Sequence, residues 1–262
     1  MARVYPLFSS SSGNSSFVGT PTEGILIDAG VSCKRITDAL LQNGISASAV
    51  KAVFITHDHC DHIAGLRVFT KNFNVPVYAS TKTYEQLDRT GCISSCGGEA
   101  MEVGSEKVVG GFSVKSFTTP HDALQSVGYK ISTPDGKTIS ICTDLGHVTQ
   151  EVEDNLLGCD LVLLEANYDE RMLRSGPYPF VLKQRIASAD GHLSNVASAH
   201  EVRKIVESGT TRIILGHLSK NNNTPQIVEN TMARELCDDY KPNKDFLMYI
   251  APPESKGMVV TF

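Results

Sequence analysis

Short runs of apolar, β-branched residues alternate along this chain with stretches of helical spacing, and most of those runs end in a polar or charged residue. Val4-Tyr5-Pro6-Leu7-Phe8 predicts an opening strand and Phe17-Val18 a second, joined by a loop through the serine-rich Ser9 to Ser16. Gly24-Ile25-Leu26-Ile27-Asp28-Ala29-Gly30 reads as a buried strand closed by a carboxylate and a glycine turn. From Cys33 to Asn43 the spacing of Ile36, Ala39 and Leu40 predicts a helix, which Gly44 ends. Val53-Phe54-Ile55-Thr56 is the next strand, and Gly65 and Leu66 open another helix through Phe69. Val75 to Ala79 gives a short strand and Thr81 to Thr90 a helix, followed by a loop from Gly91 to Gly98.

The second half repeats the alternation. Strands are expected at Lys107 to Val109 and Phe112 to Phe117, then a hairpin of Gly128 to Ser132 and Thr138 to Asp144 around Pro134-Asp135-Gly136. Leu161 to Tyr168 is a further buried strand. Val196 to Glu207 has helical spacing, with Ser194 or Asn195 as its N-cap. Arg212 to Ser219 reads as a strand, Thr224 to about Asp238 as a helix, and Phe246 to Ala251 with Met258 to Phe262 as a closing hairpin. No short repeat and no linker interrupts the order, so residues 1–262 are expected to form one α/β domain.

Composition narrows the class. A chain of 262 residues with 41% hydrophobic content can bury a full core. No apolar run is long enough to span a bilayer, and Met1-Ala2-Arg3-Val4-Tyr5 is unlike an export signal. Seven scattered cysteines, several inside apolar runs, fit reduced thiols and a cytoplasmic setting. Cys92 and Cys96 lack a second pair nearby and read as loop cysteines rather than half a zinc site. A net charge of −5 argues against broad, non-specific nucleic-acid binding but leaves room for a local site.

The chemistry is concentrated where strands end. His57-Asp58-His59-Cys60-Asp61-His62 places three imidazoles and two carboxylates within six residues, a density that packing does not explain. His57 and His59 can turn to one metal ion while Asp61 and His62 reach a second. Beside this cluster His121 is expected as a third ligand of the first ion, Asp144 as a carboxylate able to bridge two cations, and His217 as a ligand of the second. Asp28 is better placed to hold a histidine ligand, or the loop that carries it, than to touch metal. Cys60 is expected to point away, and His147 to be an ordinary loop histidine. Around Gly13 two readings stay open: a flexible serine turn, or a close approach in which Asn14 and hydroxyls such as that of Ser12 reach the site.

His57-x-His59-x-Asp61-His62 resembles the HxHxDH signature of the metallo-β-lactamase superfamily, and the later strand-end ligands follow that family's order. The resemblance covers nearly the whole chain and implies an αββα sandwich with a dinuclear site at one edge of the sheets. It assigns His57, His59 and His121 to one ion, Asp61, His62 and His217 to the other, and Asp144 to the bridge. Two divalent ions are implied, zinc or manganese, with iron also compatible with such ligands. In such sites they acidify a bridging water and stabilise charge on the attacked group, so the implied reaction is hydrolysis.

Glu165-Ala166 and Gly191-His192-Leu193-Ser194 look like the paired loops of tRNase Z and related phosphodiesterases, in which a glutamate orients a histidine that protonates the leaving oxygen. Through Ser11-Ser12-Gly13-Asn14, His57-Asp58-His59-Cys60-Asp61-His62 and Gly191-His192-Leu193-Ser194-Asn195 together, the whole chain resembles the YycJ/WalJ-like branch. That resemblance implies a DNA exonuclease, 5′ to 3′, with Asp61, His192 and Glu165 in the chemistry and Ser12, Asn14, Ser194 and Asn195 near substrate. The interval from Asp144 to His217 is too short for the β-CASP insertion of RNase J-type enzymes. Arg171, Arg174, Lys183, Arg185 and Lys220 are candidate phosphate contacts. The expected partner is nucleic acid, DNA before RNA, with no membrane and no obligate protein partner. The alternatives are a small-molecule phosphodiester or thioester hydrolase of the same fold, and a metal-binding regulatory module without turnover.

Overall fold

Side chains on a strand alternate between faces, and that alternation sets the layers. Ala52 and Phe54 enter one apolar cluster while Val53 and Ile55 enter another; Leu161 and Leu163 likewise part from Val162 and Leu164. In the computed structural model, which describes residues 1–93, 97–236 and 239–262, two seven-stranded sheets face each other across the first of these clusters.

The first sheet contains β1 (Arg3–Ser10), β2 (Gly13–Gly19), β3 (Gly24–Ile27), β4 (Val50–Ile55), β5 (Val77–Ser80) and β6 (Gly98–Met101), in that order. The second runs in sequence order through β7 (Glu106–Val109), β8 (Phe112–Thr118), β9 (Val127–Ser132), β10 (Thr138–Cys142), β11 (Leu161–Glu165), β12 (Arg212–Gly216) and β13 (Leu247–Ile250). The last strand, β14 (Val260–Thr261), returns to the first sheet beside β1.

Helices cover the outer faces. α1 (Cys33–Gln42), α3 (Leu66–Phe73) and α4 (Thr81–Arg89) bury Ile36, Leu40, Phe69 and Leu87 on the first sheet, with the one-turn α2 (Cys60–Ile63) between α1 and α3. On the second, α5 (Gln150–Leu156), α8 (Asn195–Glu207) and α9 (Pro225–Leu236) bury Val152, Val202, Ile205 and Met232. α6 (Glu170–Ser175) and α7 (Phe180–Ile186) stand apart on a small cluster of Tyr168, Leu173 and Ile186. The αββα architecture expected from the sequence is therefore present.

Two local expectations are corrected. Ser9 to Ser16 is not a loop: only Ser11 and Ser12 turn, and Ser10 pairs with Gly13 in a tight hairpin. The serines lie in strands because their hydroxyls anchor other segments; Ser15 Oγ donates to the Asp28 carbonyl and Ser9 Oγ accepts from the His217 N–H. The closing hairpin is also absent. β13 joins β12 in parallel after the crossover through α9, whereas β14 pairs antiparallel with β1 in the other sheet. Pro252 and Pro253 cannot extend a ladder as donors, and Ser255 N–H instead bonds the Leu7 carbonyl as the chain crosses the sandwich edge. Cys96 and Cys237, and the expected end of the last helix at Asp238, lie outside the described residues.

The same edge gathers the site. Asp28, Asp144 and His217 follow β3, β10 and β12, and all three take left-handed backbone, with φ of 60°, 58° and 56°. Such a conformation costs a non-glycine residue about 1–2 kcal/mol. Three such turns at one edge mark a place where side-chain direction outranks backbone comfort.

Candidate metal centre

The loop after β4 carries the cluster, and its shape depends on a neighbour without a side chain. A Cβ on Gly30 would lie 1.6 Å from the Asp61 carbonyl oxygen, so the β3–α1 turn and the ligand loop touch backbone to backbone. His57 and His62 are fully buried there, with ring centroids 4.1 Å apart. His121 adds its ring 5.0 Å from His57 and 5.1 Å from His59.

The structure brings the predicted residues into the predicted triplets. Ligand atoms of His57, His59 and His121 lie within 4.8 Å of one another, as do those of Asp61, His62 and His217. Asp144 stands between: Oδ2 is 3.3 Å from His62 Nε2, and Oδ1 is 3.3 Å from His217 Nδ1 and 3.8 Å from His121 Nε2.

Each buried imidazole is anchored through its Nδ1. Asp28 Oδ2 lies 2.8 Å from His62 Nδ1, the His121 Nδ1 is 2.9 Å from the Gly191 carbonyl, and Glu165 Oε1 is 2.7 Å from His217 Nδ1. Thr56 Oγ1 donates to Asp28 and sits 3.0 Å from His57 Nδ1. Asp28 also grips the ligand loop, since its Oδ1 accepts from the Thr56 N–H.

What remains unpaired tests the fit to a metal. His57 Nε2, His217 Nε2 and Asp144 Oδ2 are buried with no hydrogen-bond partner among the described residues. A buried polar atom left so is costly, and imidazole nitrogens and a carboxylate converging on one space form an acceptor set for divalent cations. The donor set fits.

Electrostatics follow from this crowding. Burial, with the neighbouring His62, drives the His57 pKa well below its usual value. Burial also opposes charge on His62, but Asp28 and Asp144 outweigh it and raise its pKa well above usual. Asp144 is buried too, yet His217 and His62 hold its carboxyl well below the ordinary carboxylate range.

Directly against the ligand cluster is the second predicted pair, with the His192 ring 5.3 Å from that of His217. Glu165 is fully buried at the end of β11; its Oε1 lies 2.9 Å from His192 Nδ1, while its Oε2 accepts from Leu145 and Leu193 N–H groups. Burial opposes its charge, but His192 and His217 overcome that and bring its pKa down to about 2. Reciprocally, His192 resists protonation through burial and is nonetheless pushed up to about 9 by the Glu165 carboxylate. His192 lines the cleft with Asp61, His121, Asp144 and His217, in a space of about 230 Å³.

The proposed substrate contacts divide. Asn14 is buried, and its Nδ2 lies 3.3 Å from Asp61 Oδ2 and 3.0 Å from His62 Nε2, so it touches the ligands rather than the cleft. Ser12 is exposed and lines a separate hollow with Arg35 and Lys220, which meets the cleft at Ser219. Ser194 caps α8 by accepting from Ala197 N–H, and Asn195 exchanges hydrogen bonds with Asn223. Neither lines the cleft. His147 bonds the Ala189 carbonyl as a loop residue, and Cys60 is exposed.

Three residues were not anticipated. Thr56 joins Asp28 to two histidines, and its position directly before His57 was the available signal. Asp122, next to His121, has Oδ1 3.4 Å from His121 Nε2 and is ion-paired to Arg185. Asn167 donates to the His217 carbonyl and reaches the cleft wall.

Comparison with known proteins agrees with this picture. A family model described as "Beta-lactamase superfamily domain" matches residues 24–218. The exodeoxyribonuclease WalJ of Streptococcus pneumoniae serotype 2 is 36% identical over 253 residues, 95% of this chain and 94% of that protein. The exodeoxyribonuclease YycJ of Bacillus anthracis is 33% identical over 231 residues, 88% of this chain and 87% of that one. Among solved structures, the metallo-β-lactamase fold protein YhfI from Bacillus subtilis superposes with a TM-score of 0.74 at 17% identity, each chain fully covered. No helix among the described residues is long and apolar enough to cross a membrane.

Proposed function

Because this chain belongs to the β-lactamase superfamily, we propose that it is a two-metal phosphodiesterase that degrades DNA from an end, 5′ to 3′. The observation that carries the reading is the Glu165–His192 pair, 2.9 Å apart and seated beside the ligand cluster, where His192 lines the cleft. The exodeoxyribonuclease relatives, aligned over nearly the whole chain, support the choice of DNA. A single domain acts alone in this reading, in a reducing cytoplasm that suits the free thiols of Cys33, Cys60, Cys92, Cys142 and Cys159.

His57, His59 and His121 would hold one ion and Asp61, His62 and His217 the other, with Asp144 shared; the donor set suits zinc or manganese. Bound divalent cations supply Lewis acidity, which makes water nucleophilic near neutral pH and stabilises charge on a phosphoryl oxygen. The protein's own part falls to His192. Glu165 fixes its Nδ1–H, so Nε2 is the nitrogen free to work in the cleft. As the bond from phosphorus to the leaving oxygen breaks, the Nε2 proton passes to that oxygen, sparing the release of an alkoxide. Glu165 stays ionised and balances the charge that His192 carries before the transfer.

The test is hydrolysis of DNA and RNA, single- and double-stranded and labelled at either end, by metal-loaded protein. Stepwise shortening of DNA from its 5′ end is expected. Turnover of a small phosphodiester with every polymer left intact would overturn the nuclease reading and keep the hydrolase.

A further inference from the structure

Helix α7 has two working faces. One gives Leu182, Arg185 and Ile186 to the metal cleft; the other gives Phe180, Lys183 and Gln184 to a second hollow of about 470 Å³, walled by Tyr168 and Arg174. Phe180 is 72% exposed and the adjoining Val181 76% exposed, and Phe180 is the only aromatic among the exposed large hydrophobics of the described residues. It belongs to no apolar cluster, so packing does not account for it.

The charge around it is positive in an acidic protein. Arg171, Arg174 and Lys183 have no ion-pair partner among the described residues, and Lys183 Nζ donates only to the Arg174 carbonyl. Glu170 is the one acid lining this hollow, turned toward Ser194 Oγ at 3.5 Å. Exposed aromatic and basic side chains together form the surface on which nucleic-acid strands stack and are neutralised.

Dimensions add the second argument. The metal cleft is a recess of about 230 Å³, small beside the roughly 300–1,000 Å³ typical of a small-ligand pocket, and too narrow to take a paired duplex end. A duplex end must part before it is cut, and an α-helix with side chains, about 10–12 Å across, stands between the two hollows.

Resting on the nuclease reading above, we propose that α7 is a strand divider. The strand to be hydrolysed passes Arg185 into the cleft, and its complement turns to the outer face, where Phe180 stacks on the first unpaired base while Arg174 and Lys183 meet its phosphates. The divider is geared to the chemistry. His192 N–H bonds the Ile186 carbonyl at the end of α7, and a Cβ on Gly191 would lie 2.3 Å from the carbonyl oxygens of Arg185 and Ile186. Stacking and phosphate contacts read no sequence, as a general end-processing enzyme requires.

The experiment compares a blunt DNA duplex with its separated strands, using metal-loaded wild type, Phe180→Ala, Phe180→Trp and Val181→Ala. Phe180→Ala should slow the duplex about tenfold and leave single strands within about twofold; Phe180→Trp should restore the duplex rate, and Val181→Ala should match wild type. In a His192→Ala background, which slows turnover about 10²–10⁴-fold so that binding can be read before cutting, 2-aminopurine in the terminal pair should brighten on binding and stay quenched when Phe180→Ala is added. Equal slowing of both substrates, or an unchanged duplex rate, overturns the divider and leaves the nuclease reading standing. A wild type that cuts no polymer removes both.

Discussion

Around the ligand cluster the atoms that orient each imidazole have fixed partners and the unpaired ones converge on one space, whereas α6 and α7 rest on a three-residue apolar core and present cations that have no ion-pair partner among the described residues. The two walls face one space but tolerate change differently. The cluster is set by backbone that already carries three left-handed residues, so a small displacement has nowhere to relax. The helix pair changes surface without disturbing either sheet. In the proposed function, the metals fall to the rigid wall and strand contacts to the yielding one, with His192 joining the two through its N–H bond to the Ile186 carbonyl.

The strongest way to break this comparison is to remove the ions. Chelation, or Asp144→Asn, should bring hydrolysis to the uncatalysed background, because Asp144 lies between the two ligand triplets. Metal content per chain, read beside activity, should fall from two ions in wild type; an Asp144→Asn protein with full metal and full rate would show that the carboxylate bridges nothing. Next in size is His192→Ala. If the ring donates a proton, the rate drops by about 10²–10⁴ while bound metal is unchanged, and substrates with a more acidic leaving group lose less. A uniform loss across leaving groups would make His192 a packing residue instead.

A smaller effect is expected one layer back. Asp28 holds His62 and Thr56 and belongs to neither ligand triplet. Asp28→Ala should weaken metal affinity by about 10–100-fold, with kcat largely recovered at saturating metal. Failure of metal to rescue the rate would mean that Asp28 acts beyond orienting its histidine.

These layers were not equally legible. His57, His59, Asp61 and His62 stood out because imidazoles and carboxylates at strand ends satisfy no packing need, and Asp28, His121, Asp144 and His217 followed the same rule. Glu165 and His192 needed resemblance, since nothing local distinguishes a buried acid from a cap. Ser194 and Asn195 show the reverse problem: a polar pair before a helix serves capping as well as binding, and here one caps α8 and the other pairs with Asn223. α6 and α7, at six and seven residues, are too short for periodicity to declare. The final two strands read as a hairpin because sequence records their neighbourhood in the chain but not which sheet has a free edge.

The smallest effect belongs to the yielding wall and sharpens the comparison most. Arg174 and Lys183 line the outer hollow and have no carboxylate partner among the described residues, so they can neutralise phosphates without first breaking one of the ion pairs seen here. Each phosphate neutralised releases condensed counterions, which makes affinity depend on salt. Arg174→Gln and Lys183→Gln should each weaken duplex binding several-fold and reduce the slope of log K against log salt by about 1. Arg185 differs because Asp122 already holds it; Arg185→Gln should change that slope less, since its charge is partly spent before DNA arrives. If all three variants shift the slope equally, the ion pair to Asp122 opens on binding, and the cleft wall is as adaptable as the helix face behind it.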